Sequence, residues 1–412
     1  MVSIRLSVLG ALAVLIAACA PVTNPAPIPT TTTTTRAAVS CQTDAPANAY
    51  AAYVDTPSGE SEVVTFTAST PAAVDAKVAQ LEVAGDVVAV GPDRVVSALA
   101  VVNPTNDPDY IKQWGNVVPT PDGYEPTKTQ FTTAWETQNG TGITVAVIDT
   151  GVQADHPDLV GRLPLPGRDF VISNTTAGAP GTATDPQGHG THVAGIIAAA
   201  DNTDGVVGGA PASTLLAVRV LDSCGTGFIS AVARGVDWAV DNEADVINMS
   251  LGTTSDVPVL EVAVNRAVEA GVVVVAAAGN SGGSVLSYPG AYAQAISVGA
   301  IEGSGAIASY SNRDAAVDIA APGSTILSTL RTHVSEPAYG PKSGTSMATP
   351  VVAASVALLL QKCLALDPAV VLTPAAVRTR LRATMSAPVS GFAAAPNEVG
   401  VVQPGMLVAA AC

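Results

Sequence analysis

The sequence is short of charge, and of positive charge most of all. Of 412 residues 13% are charged, with 18 Lys and Arg set against 34 Asp and Glu, a formal net charge of −16. Binding phosphate needs clustered cations, so this balance argues against a nucleic-acid partner, whereas an acidic surface keeps an exported protein soluble. No repeat period is present, and the zinc-binding pattern His-Glu-x-x-His does not occur. Cysteine is scarce too, with five in the chain. Hydrophobic residues make up 48%, ample for one large core and a smaller accessory unit. The low lysine content beside abundant Ala, Val and Pro fits a GC-rich bacterium.

Residues 1–18 read as an export signal: one early Arg, then an apolar run from Leu6 to Ala18 that is too short to span a bilayer comfortably. The run ends in Ile16-Ala17-Ala18-Cys19, which resembles the bacterial lipobox. Cleavage before Cys19 would place a lipid on its thiol, and ordinary cleavage after Ala18 or Ala20 is the alternative. Residues Gly405 to Cys412 are too short for a membrane anchor, so attachment to a membrane is expected only through Cys19. Setting Cys19 aside leaves Cys41, Cys224, Cys363 and Cys412, an even number in an oxidising compartment that suits two disulfides in any of three pairings. A Cys363 to Cys412 bridge would pin the C-terminal tail, and buried free thiols are the alternative to bridges.

Residues 19–40 form a Pro- and Thr-rich tether without material for a core. Residues 41–102 pattern as a small α+β unit. Strands are expected at Glu62 to Thr67, Val87 to Val90 and Arg94 to Leu99, with a helix at Pro71 to Ala84 whose Val74, Val78 and Leu81 share a face. Tyr50 to Val54 adds another apolar run. Asn103 to Asp109 is dense in turn formers and reads as a cleavable joint. The main domain, 103–412, alternates helical patterns with β-branched or Ala-rich runs at Thr144 to Ile148, Thr214 to Val220, Val246 to Met249, Val272 to Ala277 and Ala295 to Val298. That alternation predicts an α/β fold, a mostly parallel sheet with helices on both faces.

Four segments carry chemistry. Ile143 to Gly151 puts Asp149 at the C-terminal end of a buried strand, where open α/β sheets keep their active sites. Gly188 to Gly195 starts a helix at His189, and His192 follows one turn later in a structural role. A metal shared by His189 and His192 is the competing reading. In Gly344 to Pro350, Ser346 lies at a helix N-terminus, where free amides and the helix dipole favour an oxyanion. Pro350 is tolerable there because the first turn of the helix, where it is expected, needs no amide donor. Ala276 to Ser281 ends a strand at Asn280, whose amide is a candidate donor to a tetrahedral intermediate. Singly, each is more simply a turn or a cap.

Together these segments resemble the subtilisin-like serine protease family over nearly all of residues 106 to 400. The family's signatures read Val147-Ile148-Asp149-Thr150-Gly151, His189-Gly190-Thr191-His192-Val193-Ala194-Gly195 and Gly344-Thr345-Ser346-Met347-Ala348-Thr349-Pro350 in this chain. The order Asp, His, Ser is the subtilisin order. The resemblance implies an Asp149, His189, Ser346 triad with Asn280 in the oxyanion hole, acting on protein or peptide substrates with no cofactor required. It makes Ser250-Leu251-Gly252 the segment that pairs with substrate backbone, and Ala278-Gly279 a wall of a neutral S1 slot, hence a broad or apolar P1 preference. It makes residues 41–102 an inhibitory propeptide, although the family's has two helices and this segment shows one, with the cut expected between Ala100 and Asp107. After Pro350 the chain reads Val-Val-Ala-Ala where many relatives have His-Val-Ala-Gly. The loop Asp201 to Gly209 resembles a calcium loop one residue short, so no calcium is expected there, and a structural calcium elsewhere is left open and unassigned. The rival class is a surface binding module that keeps the fold without turnover.

Overall fold

The computed structural model describes residues 48–56, 61–98, 131–171, 179–180, 183–202, 205–332, 338–367, 372–392 and 398–412. The export signal, Cys19, the tether, Cys41 and the joint before Asp109 lie outside the described residues. All described residues belong to one compact unit.

The N-terminal part contains β1 (Ala49–Asp55), β2 (Ser61–Thr67), α1 (Pro71–Leu81), β3 (Asp86–Pro92) and β4 (Val95–Ala98). The Tyr50 to Val54 run is the central strand, β1, antiparallel to both β2 and β3. Thr70 caps α1 by accepting from Ala73 N at 3.2 Å, and Pro71 opens the first turn. The helix ends at Leu81, three residues before the expected Ala84. Val74, Val78 and Leu81 are half-buried, and no residue of α1 is fully buried.

The larger part runs α2 (Phe131–Trp135), β5 (Thr144–Asp149), β6 (Arg168–Asp169), β7 (Ala179–Pro180), α3 (His189–Ala198), β8 (Thr214–Arg219), β9 (Thr226–Phe228), α4 (Ile229–Asp241), β10 (Val246–Met249) and β11 (Leu251–Gly252). It continues with α5 (Pro258–Glu269), β12 (Val273–Ala277), β13 (Ile296–Ile301), β14 (Ile319–Pro322), β15 (Ile326–Thr329), β16 (Tyr339–Lys342), α6 (Thr345–Leu366), α7 (Pro374–Thr384) and α8 (Pro404–Ala409). The main sheet has the order β14-β13-β12-β10-β5-β8-β6-β7, parallel throughout except for the edge strand β7.

Strand alternation divides the interior into two cores. Val145, Val147, Leu215, Val273 and Val275 face α3 and α6, while Ala146, Ile148, Leu216, Val274 and Ala276 face α4 and α5. Both faces of the sheet are therefore covered, as continuous apolar strands require. The helix α6 is long and apolar enough to cross a membrane, yet it is the buried centre of the first core. The second core also takes in Ala51, Tyr53 and Val63, so the N-terminal sheet packs on α4 and α5. Cys363 and Cys412 form a disulfide that ties the chain's last residue to α6, and Cys224 is disulfide-bonded too.

Two of the connections between the N-terminal part and the rest run through residues 93–98. Arg94 O and Asp93 Oδ1 accept from the first two amides of α4, Ile229 N at 2.8 Å and Ser230 N at 3.1 Å, while Asp93 Oδ2 accepts from Ser230 Oγ at 2.7 Å. The helix has no side-chain cap of its own, so these groups satisfy donors that a helix start leaves open. The second connection is β4, which lies between β9 and β11 in an antiparallel three-stranded sheet.

Candidate active site

Asp149 ends β5 and His189 begins α3, and the close approach of these elements depends on Gly190. A Cβ there would stand 2.1 Å from Gly151 O and 3.1 Å from Asp149 Cβ. The approach brings His189 Nδ1 to 2.8 Å from Asp149 Oδ1, with both side chains buried. Thr150 N donates to the same oxygen at 2.7 Å. His189 Nε2 has no partner among the described residues.

The turn before α3 is organised by Asp185, whose role was not read from the sequence. Its carboxylate accepts five hydrogen bonds, from Thr150 Oγ, Gln187 N, Gly188 N, Thr191 N and Thr191 Oγ, at 2.7 to 2.9 Å. Thr150 Oγ in turn accepts from Gly190 N at 2.9 Å. Asp185 thereby caps the first turn of α3 and fixes the residue after Asp149 in one stroke. An Asp four residues before His189, followed by Pro186-Gln187-Gly188, is the sequence signal for such a cap.

His192 donates a ring N–H to Gly340 O at 3.1 Å. Burial, and then the nearby Lys342, hold its pKa well below the ordinary value, so it is a neutral imidazole braced on β16. Among the described residues no cluster of three His, Cys, Asp or Glu is arranged to hold a metal ion. In the loop from Asp201 to Gly209, Asp158 accepts from Asn202 Nδ2 and from Val206 N, each at 2.9 Å.

Ser346 is the second residue of α6, at a helix start with no side-chain cap. Its Oγ donates to Ser250 O at 3.1 Å, and Ser250 Oγ donates back to Ser346 O at 2.9 Å. The second bond corrects the expectation about Pro350. That proline is the sixth residue of α6, beyond the first turn. Having no N–H, it leaves the carbonyl four residues back, Ser346 O, without its helical donor. Ser250 supplies the donor instead, and Asn248 Nδ2 orients Ser250 Oγ at 3.0 Å. Asn280 Oδ1 accepts from Thr345 N and Thr345 Oγ, each at 2.9 Å, which joins Asn280 to the start of α6. Gly279, at φ +105°, has no room for a side chain, because a Cβ would meet Asn312 Nδ2 at 2.4 Å.

The structure thus assembles two hydrogen-bonded groups, Asp149 with His189 and Asn280 with Thr345, Ser346 and Ser250, on helices α3 and α6 that pack against each other. In this arrangement the Ser346 hydroxyl is engaged with Ser250 O. Leu251 and Gly252, expected to pair with an extended main chain, pair with Ala98 and Ser97 of β4. The opposite wall of that groove, Thr226 to Phe228, escaped the sequence reading.

A profile of the subtilase family matches residues 140–401. The chain belongs to the subtilase family. It is a serine-type endopeptidase, in keeping with its relatives. Thermitase from Thermoactinomyces vulgaris is 46% identical over 237 residues, 57% of this chain and 81% of thermitase. A subtilisin from Bacillus pumilus is 46% identical over 227 residues, 54% of this chain and 78% of that one. Among solved structures, a protease from Pseudoalteromonas arctica superposes with a TM-score of 0.62 at 33% identity, covering 74% of this chain and 99% of that one. As a subtilase, the chain has its Asp, His and Ser signatures on the α/β frame in the expected order, and its substrates are proteins or peptides.

Proposed function

We propose that this subtilase is an exported endopeptidase made as a zymogen, with Asp149, His189, Ser346 and Asn280 carrying acyl transfer. The observation that carries the reading is the buried Asp149 to His189 hydrogen bond, set at the end of the parallel sheet against the helix that begins with Thr345 and Ser346. In the proposed reaction the Ser346 hydroxyl leaves Ser250 O, gives its proton to His189 Nε2 and attacks the peptide carbonyl. Asp149 holds Nδ1–H and so fixes the tautomer that leaves Nε2 able to accept. The oxyanion is bound by Ser346 N–H and by the amide nitrogen of Asn280, whose oxygen end is turned toward Thr345. His189 returns the proton to the departing amine, then draws one from water to hydrolyse the acyl-enzyme.

In the zymogen reading, residues 41–102 are the propeptide. Its support is β4, which fills the groove between β9 and β11 and runs from Val95 toward Ser346 in the manner of an added strand. The cut belongs between Ala100 and Asp107. Residues 1–18 direct export to an extracytoplasmic place in a bacterium, Cys19 carries a lipid that holds the protein at the cell membrane, and 19–40 spans the gap. Ala278 and Gly279 give a broad or apolar P1 preference, and the chemistry uses no cofactor.

The test is a fluorophosphonate probe on the matured protein, combined with casein cleavage with and without chelator. Labelling at Ser346 and cleavage indifferent to chelator are expected, and absence of labelling would overturn the mechanism. Ser346→Ala should accumulate as uncut precursor on a denaturing gel, and normal maturation of that variant would assign the cut to another protease.

A further inference from the structure

Of the five cysteines in the chain, Cys224, Cys363 and Cys412 fall among the described residues. Cys363 and Cys412 are bonded to each other, and Cys224 is disulfide-bonded as well. By elimination the partner of Cys224 is Cys19 or Cys41. Both precede the stretch from Ala100 to Asp107, where the zymogen reading puts the cut, so either pairing links the two sides of it. In the lipid reading the Cys19 thiol is already alkylated, which leaves Cys41.

The described residues bring the start of β1 close enough for this pairing. Cys224 is half-buried in the turn that leads into β9, where Asp222 Oδ1 accepts from Cys224 N at 2.8 Å and from Thr226 N at 3.0 Å. Six residues on, Ser230 N donates to Asp93 Oδ1 at 3.1 Å, and Asp93 N donates to Ala49 O at 2.9 Å. Ala49 opens β1, and Cys41 stands eight residues before it. At up to about 3.4 Å per residue, six residues cover at most about 20 Å and eight cover about 27 Å. A chain leaving Ala49 toward Cys41 is therefore long enough to reach Cys224.

We infer that a disulfide between Cys41 and Cys224 keeps the cleaved N-terminal segment covalently attached to the catalytic domain, so that the maturation cut alone does not free the enzyme. The inference rests on the zymogen reading proposed above. In forming the bond the two thiols lose two protons and two electrons to an oxidising protein disulfide, which becomes a dithiol. A dithiol reductant reverses the step by exchange through a mixed disulfide and returns both thiols. While the bond holds, β1 to β4 rebind their own catalytic domain at an effective concentration set by the tether, which dilution does not change. A lipid on Cys19 holds the catalytic domain at the membrane through the same bond.

The test starts with the exported full chain, its free thiols blocked with iodoacetamide. Digestion without reductant should yield one linked peptide pair containing Cys41 and Cys224, and alkylated Cys41 or another partner for Cys224 overturns the pairing. On denaturing gels the cut protein should run as two fragments with dithiothreitol and at the mass of the whole chain without it. Two fragments without reductant overturn covalent retention. A chain that stays whole even when reduced overturns the zymogen reading and retention with it, while the linked peptide still decides the bond. Cys41→Ser, once cut, should gain about tenfold or more in activity per molecule on dilution from micromolar to nanomolar, whereas the unmodified cut protein should gain nothing until it is reduced. An equal gain in both proteins overturns the claim that the bond restrains the enzyme. The mapping and the gels use the unmodified protein, so they decide the matter even if Cys41→Ser fails to fold.

Discussion

Asp237 lies on α4 beneath the N-terminal unit, where Tyr53 OH donates to it and Arg266 stacks 4.6 Å over the Tyr53 ring. Burial raises the Asp237 pKa to about 6, helped by Asp241 and Asp55 and opposed by the Tyr53 hydroxyl and Arg266. The rise is measured from the unfolded chain, because the Tyr53 hydroxyl lowers the Asp237 pKa while burial raises it. A raised carboxylate pKa adds stability that is full below the ordinary value of 3.8 and is lost as pH climbs through about 6. Asp93, also raised by burial, has the same sign. Through these two groups the uncut precursor should therefore lose stability as pH rises from about 4 to about 7. Urea midpoints of the Ser346→Ala precursor, followed across pH, check this, and Asp237→Asn should flatten the profile.

At the scale of elements, the start of α6 is held by a neighbour strand and not by itself. Ser250, Ser346 and Pro350 are fully buried, and the Ser250 hydroxyl replaces the helical donor that Pro350 lacks. Ser250→Ala should cost about 1–3 kcal/mol by leaving a buried carbonyl unmatched. In a Pro350→Ala background, where a backbone N–H is restored, the same change should cost clearly less. A double-mutant cycle by urea unfolding measures the coupling. Strand positions were legible because β-branched runs such as Val246 to Met249 are unambiguous and both faces of the sheet are buried. The edge strand β14 was not, since Ile319-Ala320-Ala321-Pro322 is short and ends in proline. Asp149, His189, Ser346 and Asn280 could be picked out because glycines and apolar runs mark the strand ends and helix starts that carry them. Asp185 and β9 stayed hidden because what they do is set by partners distant in the chain or by a turn that apolar periodicity does not register.

In the whole molecule the last core element, α8, places Leu407 and Val408 in the first core with Phe131 and α6, so both flanks of the larger part meet on one face. The Cys363 to Cys412 bond closes that face across 49 residues of chain. Chain-entropy arguments for a loop of that length give up to about 4 kcal/mol. Replacing both cysteines with Ala should lower the urea midpoint accordingly, with little change in kcat for a peptide substrate.

Removing β4 would leave β9 and β11 facing each other across an empty lane, each with a row of backbone donors and acceptors and few side-chain demands. Such a lane accepts a target by its shape as a bare strand. A compact protein offers no such strand until a segment of it peels away, and so the rate at which a folded target is destroyed should follow its own local opening more than its composition.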